Sequence, residues 1–294
     1  MKILIGCVLA GIIGFSLLTF AFFWYETANS SHRSHLQQLS KGRVTRWVLK
    51  GVLLGCLSQI IVIFSFPLGF WRSLRHPAPD LKCALPPVFL VHGLYHNASA
   101  WIAYRWWLKR AGFRNVFVWS YSSWTHSFSE LEEQLEYWVN QMMAEHFPGQ
   151  KAILIGHSLG GLLIRSCAAK PGMAQTLAGI LSLGTPHQGS KLAVLGIGSL
   201  AQSLRYHGPV NQLLEQQSIS GTVPCVAIYS PIDNMVLPAE ALRTGQAGWI
   251  EHEAFPVSHI MMLYHRPTLK LVLHYLHRFC GIHEPGAASR SAQR

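Results

Sequence analysis

Two stretches without a charged side chain stand out near the start of the sequence, residues 3–25 and 51–71. Each is long enough to cross the hydrocarbon core of a bilayer as a helix, which takes about 20 residues. From about residue 84 onward the pattern changes. Short apolar runs of strand length alternate with longer segments whose apolar positions recur at helical spacing. Residues 88–91, 116–119, 152–155, 177–183, 223–229 and 248–255 read as strands, and 98–111, 130–146, 161–170 and 269–279 as helices. Within 130–146, Leu131, Leu135, Trp138, Val139 and Met142 fall on one helical face. Such alternation implies an α/β fold, a mostly parallel sheet flanked by helices. Residues 189–221 form a longer insertion without charged clusters, including the segments 192–204 and 212–217. An insertion of that size after a core strand reads as a lid or cap. Residues 284–294 read as a disordered tail.

The first apolar run exceeds a signal-peptide core of about 7 to 15 residues, and no small-residue cleavage site follows it. Cys7 has almost no apolar run before it and Cys56 lies inside one, so neither fits a lipidation site. Residues 1–75 are therefore expected to be a membrane anchor, with helices at about 3–25 and 51–71 joined by a basic loop, 26–50. That loop carries Arg33, Lys41, Arg43, Arg46 and Lys50 against Glu26. The positive-inside rule then puts it in the cytoplasm and the following domain, 84–282, outside the inner membrane of a bacterium, periplasmic or extracellular, in a multi-pass arrangement. Arg72, Arg75 and Lys82 dilute the bias, and Ser58, Gln59 and Pro67 leave a re-entrant or interfacial second helix as the alternative.

Charged residues make up 13% of the chain, well below the quarter usual for soluble domains, and the net charge is +11. No basic stripe interleaved with aromatics is present, so a nucleic acid is not the expected partner. An anionic bilayer surface is. Cys167 and Cys225 lie on apolar elements, while Cys83 and Cys280 flank the domain. The latter two could pair outside the cytoplasm, although four cysteines allow three connectivities.

The chemistry centres on residues 152–161, Ala-Ile-Leu-Ile-Gly-His-Ser-Leu-Gly-Gly. A strand runs into Gly156-His157-Ser158-Leu159-Gly160 and then into a helix, the strand–turn–helix context in which Gly-x-Ser-x-Gly is a nucleophile elbow. Gly156 and Gly160 permit the tight turn, and Ser158 is the candidate nucleophile. Upstream, the 88–91 strand ends in His92-Gly93-Leu94. The amides of Leu94 and Leu159 are the candidate oxyanion hole. His92 precedes the nucleophile and reads as a packing residue. The chain has two aspartates, and Asp80 precedes the first core strand. Asp233, at the end of the 223–229 strand, is the candidate acid, with Glu240 in reserve. Six histidines follow Asp233. His259, on a loop between a short strand and an apolar segment, is the best candidate base. His252 falls inside the strand, and His274 and His277 lie at helical spacing.

Together these residues resemble the bacterial lipases and esterases of the α/β-hydrolase superfamily, from about residue 86 to 264. Residues 183–190, Leu-Gly-Thr-Pro-His-Gln-Gly-Ser, strengthen the likeness to that group. The resemblance implies carboxylic-ester hydrolysis through an acyl-enzyme, with Ser158, Asp233 and His259 as triad and Leu94 and Leu159 as oxyanion donors. It implies a lipid or acyl-ester substrate. Several secreted lipases of this kind bind calcium through aspartates near the histidine loop. No spare aspartate exists here, so neither metal nor cofactor is expected. The same motif serves acyltransferases and thioesterases, and a catalytically idle membrane interaction module is the non-enzymatic alternative. The oligomeric state is not readable from the sequence.

Overall fold

A computed structural model describes residues 2–75 and 77–282 of the chain. The 284–294 tail lies outside the described residues. The centre is a six-stranded, all-parallel sheet formed by β1 (Val88–Val91), β2 (Val116–Trp119), β3 (Ala152–His157), β4 (Leu177–Leu183), β5 (Cys225–Tyr229) and β6 (Trp249–Glu253). The helices are α1 (Lys2–Ala28), α2 (His32–Leu39), α3 (Val44–Ser65), α4 (Arg72–Arg75), α5 (Ile102–Arg110), α6 (Phe128–His146), α7 (Leu159–Ala169), α8 (Met173–Thr176), α9 (Ser199–Ser203), α10 (Pro209–Gln216) and α11 (Arg266–Phe279). Strands β1, β2, β3 and β5 are buried at every position, which is why they read as unbroken apolar runs rather than as alternation.

Helix α6 begins at Phe128, two residues before the expected start at 130, because Ser127 and Glu130 form a capping box, each side chain accepting the other's backbone N–H. It packs with α7 on one face of the sheet, where Phe89, Val91 and Leu154 meet Leu131, Leu135 and Leu163. Val88, Leu90, Ile153 and Ile155 face the other way, toward Tyr104 of α5 and Val272 and Leu276 of α11. The strand order is β2-β1-β3-β4-β5-β6. It reverses between β1 and β3, and in such sheets the crevice at the carboxyl ends of the two strands flanking the reversal is the natural ligand site. The 189–221 insertion contains a 3₁₀ turn (Lys191–Leu195), α9 and α10.

At the N-terminus two helices are long and apolar enough to cross a membrane. The second starts earlier than its charge-free run: Val44, Trp47, Val48 and Gly51 share an inward face, while Arg43, Arg46 and Lys50 point outward. It ends in a 3₁₀ turn, Phe66–Phe70. Helix α1 packs against α3, with the Ser16 hydroxyl donating to Val52 O at 2.9 Å.

The basic 26–50 segment is expected as a cytoplasmic loop between two spanning helices, away from the α/β domain. It contains α2, and it lies instead on that domain. His32 Nε2 bonds Pro231 O at 2.8 Å, His35 Nε2 bonds Glu253 at 2.7 Å, and Lys191 pairs with Glu26 at 2.7 Å. Leu36, Phe20 and Phe23 close over Ile232 and Leu237 in one apolar cluster. Burial of these side chains holds the segment there. Cys83 and Cys280 do not pair; both are free thiols.

Candidate active site

Ser158 stands between β3 and α7 with φ +55° and ψ −124°, outside the regions that L-residues favour. Such backbone is retained only where its surroundings over-determine it, at about 1–3 kcal/mol. The surroundings here are backbone. A Cβ on Gly156 would sit 2.3 Å from Gly160 O, and one on Gly160 would sit 2.2 Å from Val91 O. The Ser158 N–H donates to Leu183 O at 2.9 Å, tying the turn to β4. Leu159 opens α7, so its amide has no acceptor within the helix. Leu94 follows the end of β1, and both Leu94 and Ser158 border one cavity of about 300 Å³.

Asp233 and His259 meet at the same place from two loops. His259 Nδ1 lies 2.7 Å from Asp233 Oδ2, with both side chains buried. Asp233 Oδ1 accepts from the amides of Met235 and Val236, at 2.9 and 3.0 Å. The Nδ1 proton is thereby directed to the carboxylate, which leaves the Nε2 lone pair free to accept a proton. His259, like Ser158, lines the 300 Å³ cavity. The two loops are sewn together by Ser230. Its hydroxyl donates to Val257 O at 2.6 Å and accepts from Val257 N at 3.1 Å. Asn234 adds a second stitch, Oδ1 accepting from the His259 amide at 3.0 Å and Nδ2 donating to Thr19 Oγ1 on α1 at 2.7 Å.

Other histidines have different work. His92 is fully buried, its Nδ1 bonded to Gly93 O and its ring stacked on Tyr121, and burial pushes its pKa down to about 3. It is a packing residue, as its position before the candidate nucleophile suggests. His252, half-buried on β6, bonds Tyr275 Oη at 3.0 Å. Glu240 is exposed and borders a different cavity, beside His32 and Glu253. His157 was not singled out by the sequence, yet its ring centre is 4.6 Å from that of His259 and its Nε2 bonds His259 O. Burial drives its pKa well down, so it adds no charge beside His259. The Thr185-Pro186-His187 turn serves the scaffold. His187 bridges Ser182 Oγ and Arg165 Nη1, while Arg165 Nη2 donates to Leu214 O and Asn211 to Pro186 O, fixing α10 to the core. Leu192, Ala193 and Leu195 of the insertion and Phe15, Leu18 and Phe22 of α1 complete the cavity wall.

A family model described as palmitoyl protein thioesterase matches residues 87–221. No match was found among curated protein sequences. Among solved structures, the chain is similar to Bacillus licheniformis lipase BlEst2 in mature form, with a TM-score of 0.56 at 16% identity over 68% of this chain and 94% of that one. Aspergillus fumigatus lipase B gives 0.55 at 17% identity, over 69% of this chain and 55% of the fungal one. A Paleococcus ferrophilus monoacylglycerol lipase gives 0.50 at 16% identity, over 66% and 96%. The chain therefore has the α/β-hydrolase fold of bacterial and fungal lipases and esterases, preceded by two long apolar helices.

Proposed function

We propose that the protein is a serine hydrolase that cleaves the esters of hydrophobic acyl groups at a membrane surface. The observation that carries this reading is the Asp233–His259 hydrogen bond of 2.7 Å beside an elbow serine, both opening into one largely apolar cavity. Ser158 Oγ attacks the acyl carbonyl carbon as His259 Nε2 takes its proton. The carbonyl oxygen gains negative charge and is held by the amides of Leu94 and Leu159. Collapse of this intermediate breaks the bond to the leaving alcohol, which receives the proton from His259. Water then repeats the sequence on the acyl-enzyme and releases the acid. Asp233 keeps the imidazole in one tautomer and stabilises it while charged.

The family-model match favours a second reading on the same site, in which the leaving group is a thiol and the substrate a fatty acyl thioester. Paired oxygen esters and thioesters of one chain length separate the two by their kcat/KM ratio. The shared mechanism is tested by Ser158→Ala, expected to cost on the order of 10⁶ in kcat, as triad serines do elsewhere. A fluorophosphonate probe should label the wild-type protein at Ser158. Unchanged turnover by a folded Ser158→Ala variant, or no adduct on the wild type, overturns the reading.

A further inference from the structure

We propose that α1 and α3 do not cross the bilayer but form a hairpin embedded in one leaflet, with α1 as a wall of the active site through which the acyl chain arrives from the lipid. This inference rests on the ester-hydrolase reading for its substrate, but not for its topology.

The topology follows from where the two ends of α3 lie. Its 22 residues measure about 33 Å, enough to span a hydrocarbon core of about 30 Å. A helix that spans has its ends on opposite faces of the membrane, so a single catalytic domain cannot hold both. Here it does. At the start of α3, Val44, Trp47 and Val48 join the cluster around Ile232 and Leu237 of the Asp233 loop. Midway, Leu54 packs on the core beneath α5 and α11. At the far end, Phe66 O accepts from Asn97 Nδ2 at 2.9 Å, close behind the candidate oxyanion strand. The helix thus lies along the domain.

What covers the pair's outer face is set by its chemistry. Ile3, Leu4, Ile13, Leu17, Leu53 and Phe64 are all 48% exposed or more. Water does not tolerate so continuous an apolar surface without a partner. The apolar surface continues onto the insertion, where Val194, Leu195 and Ile197 are also exposed. Tyr95 hydrogen-bonds Ile197 and stacks on exposed Trp124, extending the rim. Arg33 of α2 and Arg43, Arg46 and Lys50 at the start of α3 are exposed, cations of the kind that meet anionic headgroups. The matching occupant is the acyl region of an anionic leaflet.

The cavity opens toward the same face. Phe15, Leu18 and Phe22 line it and yet remain partly exposed, so it is open along α1. An ester held in the leaflet can then reach Ser158 with its acyl chain still in an apolar environment.

Two measurements on the full chain test this. Ser34→Cys in the basic segment and Glu133→Cys on the catalytic domain are made singly, in a background whose six cysteines are replaced by serine or alanine. They are then treated with an impermeant maleimide in inverted and right-side-out vesicles. Labelling of both from the same side is expected; labelling from opposite sides overturns the hairpin. Leu18→Trp should reduce the ratio of kcat/KM for decanoyl over butyryl esters, by roughly fourfold for each methylene excluded. Leu18→Ala should raise or hold that ratio. Ratios unchanged in both variants overturn the role of α1 as cavity wall. Absence of a fluorophosphonate adduct on the wild type would instead refute the hydrolase reading, and the labelling pattern would still judge the hairpin.

Discussion

Asn234→Ala should loosen the Asp233 loop from α1 and from His259 in a single step. The Asn234 side chain is buried and makes two bonds, accepting from the His259 amide at 3.0 Å and donating to Thr19 Oγ1 at 2.7 Å. The alanine leaves the His259 amide without this acceptor, and a buried orphan donor costs about 1–3 kcal/mol. The Thr19 hydroxyl keeps its own acceptors, Phe15 O and Ser16 O, so the second loss is nearer 1 kcal/mol. The sum is about 2–4 kcal/mol, and at roughly 2–4 °C per kcal/mol for a domain of this size the midpoint should fall by about 4–16 °C. Because the freed segment carries His259, kcat should fall too, on the order of 10²-fold if the ring drifts by about 1 Å. The assay pairs thermal melts with ester turnover in the same detergent, for Asn234→Ala, Thr19→Val and the double variant. The cycle should return a coupling energy of at least about 0.5 kcal/mol between Thr19 and Asn234. Wild-type melting and kcat in Asn234→Ala, or strict additivity in the cycle, would refute the reasoning, since α1 would then make no energetic contact with the base loop.

Gly160→Ala places a methyl 2.2 Å from Val91 O and 2.6 Å from His92 O, both backbone, so it should abolish fluorophosphonate labelling and lower the melting point by several degrees; a labelled, wild-type-stable variant would show that the turn is looser than described. Acid should destabilise the fold. His92 and His96 are held neutral by burial with pKa values of about 3 and 4, against 6.5 when exposed. The unfolded chain therefore binds more protons below pH 6.5, and stability rises with pH until that value and is lost as pH falls from it toward 4. Between pH 7.5 and 5 each histidine should contribute a loss of about 2 kcal/mol, read as a drop in melting temperature that His92→Asn reduces. Equal melting temperatures at pH 7.5 and 5 would contradict this.

Much of the catalytic domain is legible in the linear sequence because its instructions are local. Strands 88–91, 116–119 and 177–183 coincide with β1, β2 and β4, and the first two are buried on both faces and so need an unbroken apolar run. The elbow is equally local: two glycines and a serine at fixed spacing make a turn in which Gly156 and Gly160 lie too close to the backbone of Gly160 and Val91 to carry a side chain. The order of residues along the chain also made Asp233 and His259 the leading candidates to meet, and their side chains lie 2.7 Å apart. Charge content could not place α3 correctly, because Arg46 and Lys50 occupy its outward face while Trp47 and Gly51 turn inward. Tertiary structure alone decides that the basic segment lies on the catalytic domain, for that depends on Ile232 and Leu237 meeting Phe20 and Phe23 some two hundred residues away. The same holds for His157 beside His259 and for Thr19 beneath Asn234. A hydrophobic run declares that it must be covered. Whether lipid or the protein's own core covers it depends on surfaces that exist only once the chain has folded.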